Sequence, residues 1–223
     1  MAEFRWFGHN CLRIKAREAT LLTDPVDRRT GYAMAKQQVD IVTLSHEHPG
    51  HVNLGAVRPE YKVVRGPGEY EIHDVFITGI RTYHDTEKGA KLGYNTVYLI
   101  EVEGMTVAHL GDLGHPLTDE QTEAMSKCDV LMIPAGGGPS GGGQVISPEV
   151  AAEIIGQLEP KVVIPMQYAT PIGDKQHGTL DAFCKALGVD VPAAEEKALV
   201  KLADLTEAMK LIVLSPESDA ARR

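Results

Sequence analysis

The densest chemistry in the chain lies in Ser45-His46-Glu47-His48-Pro49-Gly50-His51. Imidazole nitrogen is a borderline ligand that suits Zn²⁺ and neighbouring divalent metals. Residues two apart on an extended segment share a side. His46 and His48 can therefore face one point, and a turn at Pro49-Gly50 can bring His51 back towards them. Glu47 faces away by the same alternation. Three imidazoles meeting at one point would hold a cation; the alternative is a solvated, histidine-rich loop. A second run, His109-Leu110-Gly111-Asp112-Leu113-Gly114-His115, sets a carboxylate between glycines, where backbone can approach a ligand closely. Read alone, it is more readily an Asp-Gly turn than a ligand site. Tyr83-His84-Asp85 offers His84 as a fourth ligand, with Asp85 hydrogen-bonded nearby to orient it. In Ile164-Pro165-Met166-Gln167-Tyr168, Gln167 is a poor metal ligand, and Tyr168 is either a polar site residue or a packed one.

The segments that must position these side chains read mostly as strands. Short apolar-biased runs at 3–7, 11–15, 19–23, 61–64, 69–72 and 75–80 are separated by turn residues. Runs 40–45, 129–134 and 161–165 are continuously apolar, the pattern of strands buried on both faces. Residues 95–102 and 105–110, joined by Glu103-Gly104, predict a β-hairpin. Helices are expected over 30–38, over 118–125 with Thr118 as N-cap, over 148–158 with Ser147 as N-cap and Pro148 at the first position, and over 179–187. Residues 198–202 and 210–214 read as a closing hairpin, and 215–223 as a frayed tail. Each metal-ligand candidate follows an apolar strand. No low-complexity linker interrupts the chain, so one domain over 1–223 is expected.

The net charge of −9 argues against non-specific nucleic-acid binding. No segment approaches the ~20 apolar residues of a membrane span. The start, MAEFRWFGHN, lacks a basic region followed by an apolar run, so no signal peptide is expected. Cys11, Cys128 and Cys184 are too far apart for a disulfide framework or a thiolate metal cluster. These features predict a cytoplasmic protein acting on a small molecule, with neither nucleic acid nor membrane as partner; the oligomeric state is open. The glycine-rich stretch 135–143 is no P-loop, because no Lys-Ser/Thr follows it; it is a flexible loop or an anion site in equal measure. His73 reads as a turn residue, and His177 as a solvated one.

Taken together, the motifs resemble the metallo-β-lactamase-fold hydrolases, whose mark is His-x-His-x-Asp-His after a buried strand. Within that superfamily the chain is similar to Zn-dependent hydrolases related to the ascorbate-6-phosphate lactonases. The resemblance rests on Gly8-His9, Leu22-Thr23-Asp24-Pro25, Thr43 onward to His51, His84-Asp85, Asn95-Thr96, the run from His109, Pro134 to Gly138 and Ile164 to Tyr168. It implies an α/β fold, a four-layer αββα sandwich with metal at the sheet edges. It implies a first metal site of His46, His48 and His84, with Asp112 as the carboxylate shared by two sites. His9 and Asp24 match positions close to the metals, where they and Asp85 would hold ligands in place.

The family's second site takes the motif's Asp, its last His and a late His. Here those positions are Gly50, His51 and Gln167, so two of the three ligands are lost. The expectation is therefore one tightly bound ion, Zn²⁺ with Mn²⁺ or Fe²⁺ as alternatives, and His115 as a possible substitute ligand should a second ion bind. A water activated by the ion would attack an ester, lactone, amide or phosphodiester. His51, Asp112 and Tyr168 are the expected catalytic groups: His51 as proton acceptor, and Tyr168 or His115 as a donor to the oxyanion. The alternative is a degenerate relative that binds a ligand or a protein without turnover.

Overall fold

The structure is a computed structural model that describes residues 1–137 and 145–217. The expected glycine-rich stretch beyond Gly137, and the tail beyond Glu217, lie outside the described residues. Two sheets carry the fold. The first contains β1 (Ala2–Gly8), β2 (Cys11–Lys15), β3 (Thr20–Thr23), β4 (Ile41–Leu44) and β5 (Lys62–Arg65) in that order, with β12 (Ala198–Val200) at the β1 edge. The second is built from β6 (Gly68–Ile72), β7 (Val75–Tyr83), β8 (Tyr94–Val102), β9 (Met105–His109), β10 (Val130–Pro134), β11 (Val162–Met166) and β13 (Lys210–Leu211), in the order β13-β11-β10-β9-β8-β7-β6.

The expected alternation decides which faces meet. Phe4, Trp6, Leu12, Ile14, Leu21 and Ile41 of the first sheet share one apolar cluster with Ile77, Val97, Ile100, Val107, Met132 and Ile164 of the second. Burial of such side chains contributes roughly 1.5–3 kcal/mol each before entropy is charged against it. The continuously apolar strands are interior for a topological reason. β4 lies between parallel β3 and β5, and β10 between parallel β9 and β11. Parallel neighbours require crossover connections. Two of these carry α1 (Asp119–Ala124) and α2 (Pro148–Leu158); α3 (Leu180–Leu187) packs beside α2.

Three expectations are corrected. The helix over 30–38 is absent. A 3-10 turn, Arg28–Thr30, stops at Gly31 in the left-handed region, and Tyr32 dives into a second apolar cluster on the outer face of the first sheet. That face is covered by the segments 26–40 and 45–57 on either side of β4 rather than by an α-helix. The closing hairpin is also absent: β12 pairs antiparallel with β1, while β13 pairs parallel with β11 in the other sheet. The tail up to Glu217 is tied down, since Glu217 N–H donates to Trp6 O at 2.7 Å and Arg5 pairs with the Glu217 carboxylate at 3.0 Å.

The strand ends deliver the chemistry to one place. His9 follows β1, Asp24 follows β3, His46 follows β4, His84 follows β7, Asp112 follows β9 and Gln167 follows β11. Helix caps form as expected. Thr118 Oγ1 accepts from Gln121 N–H while the Gln121 side chain takes the Thr118 N–H, a reciprocal capping box. We expect Thr118→Ala to lower stability by about 1 kcal/mol in urea denaturation, with bound metal per chain unchanged.

Candidate metal centre

Asp112 sits at the middle of the strand-end cluster, and its two oxygens have different work. Oδ1 accepts from the side-chain amides of Asn10 and, at 3.1 Å, Gln167. Oδ2 faces imidazoles: His84 Nε2 at 3.1 Å, His51 Nε2 at 3.4 Å and His46 Nε2 at 3.7 Å. Backbone placement comes from Asn95, whose Oδ1 accepts the Asp112 N–H at 3.0 Å while its amide donates to Thr82 Oγ1 and Leu110 O. The neighbouring glycines are required. Gly111 has φ +56, and a Cβ there would strike Asn95 and Ser45; a Cβ on Gly114 would strike the His84 and Asp85 backbone. Burial opposes ionisation of Asp112, but His51, His84 and His46 outweigh it and hold the carboxyl well below the usual range.

His46 has its tautomer set from behind. Ser45 N–H and Oγ donate to the two Asp24 oxygens, at 2.7 and 2.6 Å. With its proton committed to Asp24, Ser45 Oγ accepts from His46 Nδ1 at 3.0 Å. The His46 Nε2 lone pair then points towards Asp112 without a hydrogen-bond partner. Burial is the main cause that pushes the His46 pKa down to about 4, against the attraction of Asp112, so the ring is neutral at pH 7. Asp24 thus acts through Ser45 on His46, an arrangement that also occurs behind metal-binding histidines.

His84 Nε2 is likewise buried and unpartnered, although it lies 3.1 Å from Asp112 Oδ2. Asp85 does not touch that ring. Its carboxylate accepts the backbone N–H groups of Leu92, Gly89, Lys91 and Glu87, which hold it at about 2 and close the loop after His84. His48 is the outermost imidazole; its Nδ1 accepts the Gly50 N–H at 3.2 Å, and its ring lies 5.8 Å from His46 and 5.2 Å from His51. Three sets of side chains offer ligand atoms within a few ångströms of one another: His46, His48 and His51; His46, His84 and Asp112; and His9, His51 and Asp112. Buried imidazole nitrogens without a hydrogen-bond partner, gathered around one carboxylate oxygen, fit a divalent cation.

Other expected site residues are placed elsewhere. Both ring nitrogens of His115 serve the backbone: Nε2 accepts the Tyr83 N–H at 3.1 Å and Nδ1 faces Pro116 O at 2.6 Å. Tyr168 packs on Trp6 with ring centroids 5.0 Å apart, and its hydroxyl points at Leu214 O. Neither side chain is aimed at Asp112. Glu47 pairs with Arg65, away from the histidines, as alternation requires. His177 is buried, not solvated. Its ring lies 5.8 Å from that of His9, and its Nδ1 is 3.8 Å from Asp174 Oδ1.

The sequence reading missed Asn10, Ser45 and Asp174. Asn10 clamps Asp112 and has its own carbonyl taken by His109 Nε2 at 3.1 Å. Asp174 holds His9 Nδ1 at 2.8 Å. Its partner is 165 positions away, and the only local signal was a polar pair, Asp174 and His177, three apart in a loop.

Residues 3–167 match the family model described as a beta-lactamase superfamily domain. A UPF0173 protein of Pyrococcus furiosus is 29% identical over 188 residues, covering 74% of this chain and 82% of that one. A protein of Lysinibacillus sphaericus named UPF0173 metal-dependent hydrolase is 25% identical over 199 residues, covering 75% and 86%. Among solved structures, a Thermotoga maritima protein named as a candidate Zn-dependent hydrolase of the metallo-β-lactamase superfamily superposes with a TM-score of 0.76 at 33% identity, over 96% of this chain and 98% of that one. With two mixed sheets, strand-end histidines and a central aspartate already in place, these matches mean that the chain belongs to the metallo-β-lactamase superfamily of metal-dependent hydrolases.

Proposed function

We propose that this chain hydrolyses an ester, lactone, amide or phosphodiester at an ion held by His46, His48, His84 and Asp112. The observation that carries the reading is the pair of bare, buried Nε2 atoms of His46 and His84 converging on Asp112 Oδ2. When bound, such an ion polarises a carbonyl or phosphoryl group and makes a water molecule acidic at neutral pH. Zn²⁺ suits the donor set, and Mn²⁺ or Fe²⁺ would also accept imidazole and carboxylate.

The chain's own residues do the orienting. Asn10 and Gln167 pin Asp112 Oδ1, so that only Oδ2 is offered to a cation. The Asp24–Ser45–His46 relay keeps the His46 lone pair directed inwards. In the metal-free chain His51 keeps a proton at Nε2, because His9 Nε2, 3.0 Å away, is already the acceptor end of a ring whose Nδ1–H goes to Asp174. Tyr168 serves the core.

A cleft of about 400 Å³ opens beside His46, with Ser45, Arg65, Arg81, Leu92, Tyr94 and Thr96 on its walls. Arg81 lies over the Tyr94 ring at 4.8 Å, and Arg65 is paired with Glu47. Of the two arginines on the cleft wall, Arg81 is thus the one whose charge no ion pair uses. Its position favours substrates that carry a negative charge next to the scissile bond.

We expect His84→Ala to lose bound metal and His73→Ala, in an exposed turn, to keep it; metal per chain after identical purification decides this, and equal content in the two would overturn the ligand assignment. The depressed pKa of His46 means that its folded form binds no proton until the pH falls to about 4, so nitrogen NMR of the metal-free protein should show a neutral ring at pH 5.5, where a free histidine is largely protonated. For the cleft, Arg81→Gln should lower kcat/KM for the anionic bis(4-nitrophenyl) phosphate by roughly three- to tenfold, up to about 1.4 kcal/mol of transition-state binding, with 4-nitrophenyl acetate little changed.

A further inference from the structure

The expectation of a single ion counted only His51 and a share of Asp112 at the second position. The fold places a third donor there. His9, at the end of β1, directs Nε2 to within 3.0 Å of His51 Nε2, and His51 Nε2 lies 3.4 Å from Asp112 Oδ2. Ligand atoms about 2.0–2.1 Å from a tetrahedral ion stand roughly 3.3 Å from one another, so these separations are the edges of a coordination shell. We propose that His9, His51 and Asp112 form a second cation site, in which an imidazole from the β1–β2 turn replaces the ligands missing at Gly50 and Gln167. The proposal rests on the first-site reading in one respect: Asp112 Oδ2 is common to both sites.

Three further observations support it. Asp174 Oδ1 holds His9 Nδ1 at 2.8 Å, which sets the tautomer whose lone pair is on Nε2 and fixes the ring's direction, as carboxylates behind metal-bound histidines do. The backbone aims the ring: His9 takes the left-handed region at φ 52, which His tolerates better than most residues, and the Trp6 indole fixes its carbonyl at 2.8 Å. The third observation is charge. Asp24, Asp112 and Asp174 are all buried, and among the described residues no Lys or Arg pairs with any of them. Buried charge must be compensated. One divalent ion leaves the three carboxylates with a net negative charge; two leave a single positive charge for an anionic substrate to meet. The vacated positions agree. A Cβ at Gly50 would sit 3.2 Å from both His48 Nδ1 and a Thr30 methyl, and Gln167 turns its amide to Asp112 Oδ1.

The test is a Zn²⁺ titration of the chelator-treated full chain by calorimetry, with ions per chain counted by mass spectrometry after gel filtration. His9→Asn keeps a residue that tolerates the left-handed turn and removes the imidazole; Asp174→Asn keeps the ring and removes its carboxylate. The native chain should take two ions. His9→Asn should take one, with affinity for that ion within threefold of native. Asp174→Asn should take two, the weaker about 10–100-fold weaker than native. A native chain that holds one ion, lost in His84→Asn and kept in His9→Asn, would overturn this second site and leave the first standing. Two ions retained by His9→Asn would overturn it as well. A native chain that binds none would overturn both readings.

Discussion

The division of labour between the two oxygens of Asp112 is the constraint around which the molecule is arranged. A free carboxylate offers both oxygens to a cation and can rotate between them. Here Oδ1 is consumed by two neutral amides, Asn10 and Gln167, and Oδ2 alone faces the imidazoles. Amide donors can do this without competing for the cation, since they bring no charge of their own. The arrangement requires three strand ends from two sheets to be held together, because Asn10 follows β1, Asp112 follows β9 and Gln167 follows β11. The shared apolar core between the sheets is what fixes those ends relative to one another.

That requirement bears on the backbone beyond the strands. His9, Asp24 and Gln167, each just past a strand, and Asp174 in the loop after β11 all have positive φ, at 52, 36, 53 and 54°. Such conformations are uncommon for residues with a Cβ and cost free energy of order 1–3 kcal/mol each. These four touch Asp112 or the histidines around it. A strand that ended in a relaxed turn would carry its side chain past the cluster, so backbone strain is exchanged for convergence. The Asp24–Ser45–His46 and Asp174–His9 contacts then act at the ring nitrogens that face away from Asp112, selecting tautomers whose lone pairs point inwards.

Local patterns in the sequence made the strands legible, down to β2 and α2 at their boundaries, because alternation and cap residues are short-range signals. The chain's four strand-end motifs were legible for the same reason: His46, His84, Asp112 and Gln167 each stand just beyond an apolar run. What the pattern could not convey was pairing across distance. Residues 198–202 and 210–214 have the local look of a hairpin, yet the two strands joined opposite sheets because β1 and β11 each had an open edge. His177 sits in a polar loop by composition, but Asp174 and His9 draw it inside. Asn10 and Ser45 carry no metal signal at all; their importance arises only from what the fold sets against them.

The buried cluster also bears on how the chain holds itself together without metal. Imidazoles at His46, His48, His51, His84, His9 and His177 stand around three buried carboxylates, and several of their nitrogens lack partners. Unsatisfied buried polar atoms destabilise a core by roughly 1–3 kcal/mol each. A cation satisfies several of them at once, and the unfolded chain has no comparable site. Binding free energy there is folding free energy. The interior polarity that weakens the metal-free fold is therefore the same feature through which a bound ion would become part of the native structure. The apolar contacts between the sheets carry the strand ends to the site, and the ion would lock them in register.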